Sequence, residues 1–258
     1  MNSKPFNLAG LAVLAALLFI WELSSRSSAD LQNYFPAPSA VFSAFFRFAF
    51  AREIFNHFLD TLGRFICGYL LAAALAVGLG IVLGYFRFAH SLLDLSIELL
   101  RPMPSVAIIP VAILLLGIGN RMMVAVTVYA CAWPILVNTI DGVRSIDRTL
   151  IDTGRTFGLG RWKILRAIAL PAAAPYIMTG LRVSLPIALI LVTTSEMVIG
   201  GSGLGYFILD EERSFRITEM YAGIVVVALL GYTLNRLFTL MEARAMAWHR
   251  GLIRKETP

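Results

Sequence analysis

Only three lysines occur in this 258-residue chain, Lys4, Lys163 and Lys255, and none follows a glycine. A nucleotide-binding P-loop needs a Gly-Lys pair, because the glycine-rich turn wraps the phosphates and the lysine reaches them. The chain therefore carries no standard Walker A motif. Cysteine is sparser still. Cys67 and Cys131 both fall in apolar runs and read as small buried hydrophobes, not as a disulfide framework or a metal site. His57, His90 and His249 are scattered without ligand spacing. No paired nucleophile and base is visible at membrane depth, which argues against an intramembrane hydrolase.

Charge is also scarce. Charged residues make up 15% of the chain and hydrophobic ones 58%, with mean hydropathy +0.76. A soluble domain of this length needs more polar surface than that, whereas lipid removes the requirement. The expected class is an all-α, polytopic membrane protein. The long apolar runs lack strand alternation, which argues against a barrel. The net charge of +6 is assigned to loops that hold the topology, not to nucleic acid.

A bilayer core of about 30 Å needs roughly 20 apolar helical residues. Six stretches approach this: 7–23, 65–85, 102–118, 122–140, 174–195 and 217–240. For the first, two readings stand. Lys4, an apolar run and a serine-rich stretch fit a cleaved signal peptide, while Trp21-Glu22 and the lack of a clean A-x-A site fit a retained helix. A cytoplasmic N-terminus puts thirteen Lys and Arg in inner loops and seven in outer ones, Arg64 among the latter. Both termini are then expected inside. The chain divides into 1–34, an N-terminal span and outer linker; 35–60, an outer segment; 61–240, the main core; and 241–258, a basic cytoplasmic tail.

Within the outer segment, Phe42, Phe45, Phe46, Phe50 and Phe55 recur near helical spacing over 39–58. This fits an interfacial amphipathic helix or an extra core-packing helix. Pro102, Pro104 and Pro110 predict a kinked third span that lines a pathway, with Met103 between them. Gly78, Gly80 and Gly84 predict a close-packing face on the second span. Arg182 lies about two turns inside the fifth span and Glu196 at its outer end; charge in a span is costly and often lines a path. Both are pathway or gate candidates, with a structural bond as the competing role. Gly200 to Gly205 fit no nucleotide or nucleophile motif and predict a flexible or re-entrant turn. A proton-coupled carrier or channel would show more buried carboxylates and an internal repeat, and neither is seen.

The longest inner loop, 141–175, reads DGVRSIDRTLIDTGRTFGLGRWKILRAIALPAAAP. Asp147 is a good N-cap for a helix over 148–157, which Gly158 and Gly160 end. Leu150, Ile151, Gly154 and Phe157 share one face at i, i+3, i+4 and i+7. A second amphipathic helix begins at Arg161, with Trp162, Leu165, Ile168 and Ala169 as its apolar side. Pro171 and Pro175 are expected to redirect the chain into the fifth span. So short a helix cannot fold alone and needs a partner groove or a membrane surface.

The loop resembles the EAA loop of binding-protein-dependent ABC transporter permeases. Gly158 matches the motif glycine, and Ile168-Ala169-Leu170-Pro171 matches its I-x-L-P end. Asp152-Thr153-Gly154 stands in the place of the EAA triplet, and Gly154 costs about 1 kcal/mol of helix propensity relative to Ala. Arg101-Pro102-Met103-Pro104 with Ile109-Pro110, and Ser195-Glu196-Met197 with Gly201 to Tyr206, resemble segments of the nitrate/sulfonate/taurine subfamily. So do Gly117-Ile118-Gly119, Asn138-Thr139 with Gly142-Val143, and Thr179-Gly180-Leu181-Arg182. The likeness runs from about Phe35 to Trp248.

The resemblance implies a type I ABC importer permease fold with about six transmembrane helices. It implies a non-catalytic subunit in a bacterial inner membrane, paired with a second copy in a homodimer. Two ABC ATPase subunits would bind the ATP, so the chain itself needs no cofactor. An extracytoplasmic solute-binding protein would deliver the substrate. Leu150, Ile151, Asp152, Gly154, Phe157 and Gly158 would form the coupling helix that docks on the ATPase. The implied substrates are sulfonate, taurine, nitrate or similar small anions, with pyrimidine precursors or aromatic acids as the alternative.

Overall fold

The computed structural model describes residues 8–49 and 52–247. Every regular element among them is helical. In order they are α1 (Leu8–Arg26), α2 (Ala29–Tyr34), α3 (Pro38–Ala49), α4 (Arg52–Tyr85), α5 (Arg87–Leu100), a 3₁₀ turn (Ser105–Ile108), α6 (Ile109–Leu116) and α7 (Asn120–Arg144). There follow α8 (Arg148–Thr156), α9 (Arg161–Ile164), a π-helical turn (Leu165–Ala169), α10 (Leu170–Ile199), α11 (Leu204–Arg213) and α12 (Ile217–Ala245). Five helical stretches are long and apolar enough to cross a membrane. Much of their surface is exposed leucine, valine and isoleucine, Leu11, Leu70 and Leu229 for example, as lipid contact requires.

The centre is the packing of α4 on α7 and of α7 on α10. Phe65, Leu83, Ile135, Leu136 and Val192 form its buried core. Small residues let these backbones approach, as membrane helices need. A Cβ on Gly80 would lie 2.6 Å from Thr139 Cβ of α7, and one on Gly84 2.6 Å from Val143 Cβ. Gly78, expected on this face, meets nothing within 4 Å; Gly68, against Thr127, takes its place.

The expected third span is not one helix. Pro102 and Pro104 lie in an exposed break, and α6 has only eight residues, about 12 Å at ~1.5 Å each. A sixth passage exists only as α5 with the segment 105–116, bent by 94°. Two prolines two positions apart remove backbone donors, so the chain turns instead of kinking. Amphipathic α5, with Leu92, Leu95 and Leu99 exposed, lies outside the six stretches that hydropathy marks.

The segment 39–58 is also divided. Its first part is α3, and residues from Arg52 onward begin α4, so the helix runs through the boundary placed at 60. The tip of α1 is tied to the following turn. Trp21 Nε1 donates to Pro36 O (3.1 Å), Ser25 Oγ donates to Phe35 O (2.7 Å), and Trp21 stacks on Phe35. Of the tail, 248–258 lies outside the described residues, as do Lys4, Asn7 and Phe50.

Pro171 and Pro175 do not redirect the chain. Trp162–Ile199 runs as one 38-residue stretch, about 57 Å at ~1.5 Å per residue and nearly twice the ~30 Å hydrocarbon core. Pro171 lacks the N–H that an α-helix would use at that point. The π turn just before it absorbs the change, with Leu170 N–H donating to Leu165 O. A stretch of this length exceeds the hydrocarbon core, and α8 packs on the π turn at its base.

Candidate functional site

Polar structure gathers at the two ends of α10. At its base, Asp147 Oδ1 accepts the Thr149 N–H at 2.8 Å and caps α8 as expected. That backbone donor holds the exposed Asp147 carboxyl below the usual carboxylate range. The helix closes on Gly158, in the left-handed region at φ 72°. Leu159 N–H donates to Gly154 O (3.0 Å) and Gly158 N–H to Arg155 O (2.9 Å), the paired bonds of a Schellman cap.

The apolar face of α8 is split between two directions. Gly154 is buried, and a Cβ there would lie 2.8 Å from Ile168 Cδ1, on the π turn. Glycine in the place of the motif alanine thus lets α8 sit close against the base of α10. Ile151 is half-buried beside it. Leu150 (52% exposed) and Phe157 (80%) face outward, joined by Trp162 (73%) from α9. Asp152 is exposed and pairs with Arg155 at 3.2 Å. Of the six residues expected to dock, Leu150, Asp152, Phe157 and Gly158 are open to solvent, and Gly154 is not.

At the far end of α10 the situation is reversed. Glu196 is fully buried. Arg64 Nη1 donates to its Oε1 at 2.7 Å, Thr61 Oγ1 donates to the carboxylate at 2.9 Å, and Gly205 N–H donates to Oε2 at 3.0 Å. Arg64 also donates to Asn120 Oδ1 (2.8 Å), Ser202 O (2.9 Å) and Ser202 Oγ (2.6 Å). Thr61 accepts the Leu204 N–H (2.8 Å), and His57 Nδ1 accepts the Gly203 N–H (3.0 Å). Arg64 is 8% exposed, so it belongs to the interior of α4 and not to an outer loop. The turn over 200–203 is pinned by this network rather than flexible. A Cβ on Gly203 would fall 2.2 Å from the Glu196 carboxyl carbon, and one on Gly205 2.1 Å from Thr193 O.

The remaining pathway candidates are dispersed. Arg182 is ion-paired with Glu242 of α12. Pro102, Met103, Pro104 and Pro110 keep exposed surface around the bend between α5 and α6. Glu196 faces the interior of the bundle, so its surroundings are those of a structural clamp. Thr61, Arg64, Asn120 and Ser202 gave no sequence signal as a set, since Thr61 and Arg64 on α4, Asn120 on α7 and Ser202 in the turn after α10 are far apart in the chain. Among the described residues, no three His, Cys, Asp or Glu side chains gather as a metal site.

An apolar multi-helix bundle with a capped helix exposing Leu150 and Phe157 at the base of its longest stretch is the architecture of a membrane transport subunit. The chain belongs to the family of binding-protein-dependent transport system inner membrane components, whose model matches residues 76–246. A Methanocaldococcus jannaschii protein bearing the name of an ABC transporter permease is 35% identical over 77% of this chain and 74% of its own. A Bacillus subtilis protein bearing the name of an aliphatic sulfonates transport permease, SsuC, is 28% identical over 93% and 87%. The nitrate import permease protein NrtB of Synechocystis is 29% identical over 89% and 86%. Among solved structures, inward-facing conformations of the MetNI methionine ABC transporter match with TM-score 0.63 at 18% identity. That match covers 72% of this chain and 93% of the other and shows a shared fold. The chain is the non-catalytic, multi-pass permease subunit of an ABC importer, and the family implies a binding protein and an ATPase as partners.

Proposed function

We propose that two copies of this chain line a pathway for small sulfonates, nitrate or similar anions, with both termini cytoplasmic and one ATPase docked on each α8. Leu150 and Phe157 carry the docking. They are large apolar side chains left exposed on a capped helix, uncovered by the rest of the chain. Trp162 extends the same surface, and Asp152 with Arg155 gives it a charged rim. Closure of the ATPase pair would move both α8 helices, and the stiff stretch Trp162–Ile199 would pass the motion to the pathway as a two-state rocking change. The names of the sulfonate and nitrate relatives support the substrate class. Pyrimidine precursors and aromatic acids are the alternative cargo for the same architecture.

Phe157→Glu with Leu150→Glu should leave membrane insertion and melting unchanged and remove the ATPase from the purified complex. A full ATPase complement on that variant would sink the docking assignment. Native mass of the wild-type complex reads the copy numbers, and a C-terminal reporter fusion reads the orientation. Stimulation of ATPase activity by taurine, nitrate, alkanesulfonates or orotate, each with the binding protein, reads the cargo.

A further inference from the structure

Between α8 and the membrane body lies a cavity of about 760 Å³. Its size falls in the range of small-molecule sites, roughly 300–1,000 Å³. Its cationic side is built from three separate elements: Arg87 at the start of α5, Arg144 at the end of α7, and Arg155 on α8. Its apolar side is Val143, Ile146, Ile151 and Ile164.

The charges do not balance within the chain. Asp94, the acid in the lining, sits 3.7 Å from His90, and Arg155 is shared with exposed Asp152. Among the described residues, Arg87 and Arg144 have no carboxylate within 4.0 Å. The N-cap of α5, Phe86, supplies no side-chain oxygen, so the positive end of that helix adds to the field. Guanidinium groups gathered around one space repel each other unless an anion joins them, and they bind phosphate-like heads through paired N–H donors.

We propose that this cavity binds an amphiphilic anion, a sulfonate or phosphate head on a short apolar stem. The head meets Arg87, Arg144 and Arg155, and the stem lies on half-buried Ile146 and Ile151. A free inorganic ion would leave the apolar side uncovered, so the stem adds affinity. Because α8 supplies Arg155 and Ile151 while α5 and α7 supply Arg87 and Arg144, occupancy ties the docking helix to the membrane body. That consequence, slower ATP turnover, rests on the docking reading. The binding itself does not.

The test uses the full-length permease, with its co-purifying ATPase, in nanodiscs of phosphatidylcholine, and 1-butanesulfonate as probe in calorimetry. Inorganic sulfate serves as the head-only control at matched ionic strength. Wild type should bind butanesulfonate more tightly than sulfate, and R87Q with R144Q should weaken it at least tenfold. R87K with R144K, which keeps the charge but not the paired donors, should bind between wild type and the Gln variant, and equal melting temperatures of the three proteins show that the Gln variant is folded. The same titration in phosphatidylglycerol discs separates the sources. Loss of wild-type binding there supports the site with a lipid headgroup as its occupant, and retained binding supports a soluble anion. Absent binding in phosphatidylcholine, or equal binding by the Gln variant, overturns the proposal. ATPase co-purification, read separately, decides the docking reading.

Discussion

The two ends of α10 solve opposite problems with similar residues. At the Glu196 end, the charge on α10 is buried and answered: the carboxylate meets a guanidinium, a hydroxyl and a backbone N–H within 3.0 Å. At the α8 end, arginines line an open cavity and aromatic side chains stand exposed. The first end is complete within one chain, and the second is complete only with something added. Under the proposed docking of an ATPase on α8, the Glu196 end is a closed fulcrum and the α8 end an open handle.

The largest effect should come from breaking the closed end. Glu196→Leu leaves buried Arg64 with only the exposed Asp60 carboxylate, 3.9 Å away, as counter-charge; removing one partner of a buried pair costs up to about 3–5 kcal/mol and should sharply lower the melting temperature of the purified permease. Arg64→Met combined with Glu196→Leu should recover most of the loss, because a matched apolar pair no longer carries desolvated charge. If Glu196→Leu melts like wild type, the clamp is not a stability element and the contrast between the ends fails.

Glycine substitutions sharpen the contrast at smaller scale. Gly205→Ala drives a Cβ into Thr193 O, a backbone atom that cannot rotate away. It should cost about 1–3 kcal/mol, as overpacking does. Gly154→Ala meets only the flexible end of Ile168, and it regains about 1 kcal/mol of helix propensity. Its melting temperature should stay near wild type, and its ATPase should still co-purify. Equal destabilisation by the two variants would mean that α8 is packed as rigidly as the far turn.

The same contrast explains what the sequence made legible. The loop helix could be read because its determinants are local: Asp147 as cap, Gly158 as stop, and a 3.6-residue period between them. Most spans were legible from hydropathy alone. Hydropathy does not register direction, so the run 102–118 looked like a span although its prolines turn the chain. The clamp was hidden for a different reason. Arg64 and Glu196 stand 132 positions apart, and their meeting depends on which faces of α4 and α10 pack together. Arg64 alone looks like any loop arginine beside a membrane helix. Gly154 looked like a defect in a docking face, because nothing in its neighbours announces that the π turn brings Ile168 beneath it.

The smallest expected effect concerns the cap of the open end. Asp147 is exposed, and its carboxyl is held below the usual range by the Thr149 N–H, so the folded loop binds its proton less readily than the unfolded loop. The cap therefore contributes fully above the free aspartate value, about 3.9, and is lost as pH falls through the lower folded value. Hydrogen-exchange protection of the amides over 149–156 should drop across that acid window in wild type, with the clamp turn at 203–205 unaffected by this group. Asp147→Asn keeps an acceptor oxygen that does not titrate, so its protection should persist through the same window. Asp147→Ala should lack the protection even at neutral pH. If the Asn variant follows the wild-type profile, the acid sensitivity of the loop arises elsewhere, and the cap only shapes the helix without switching it.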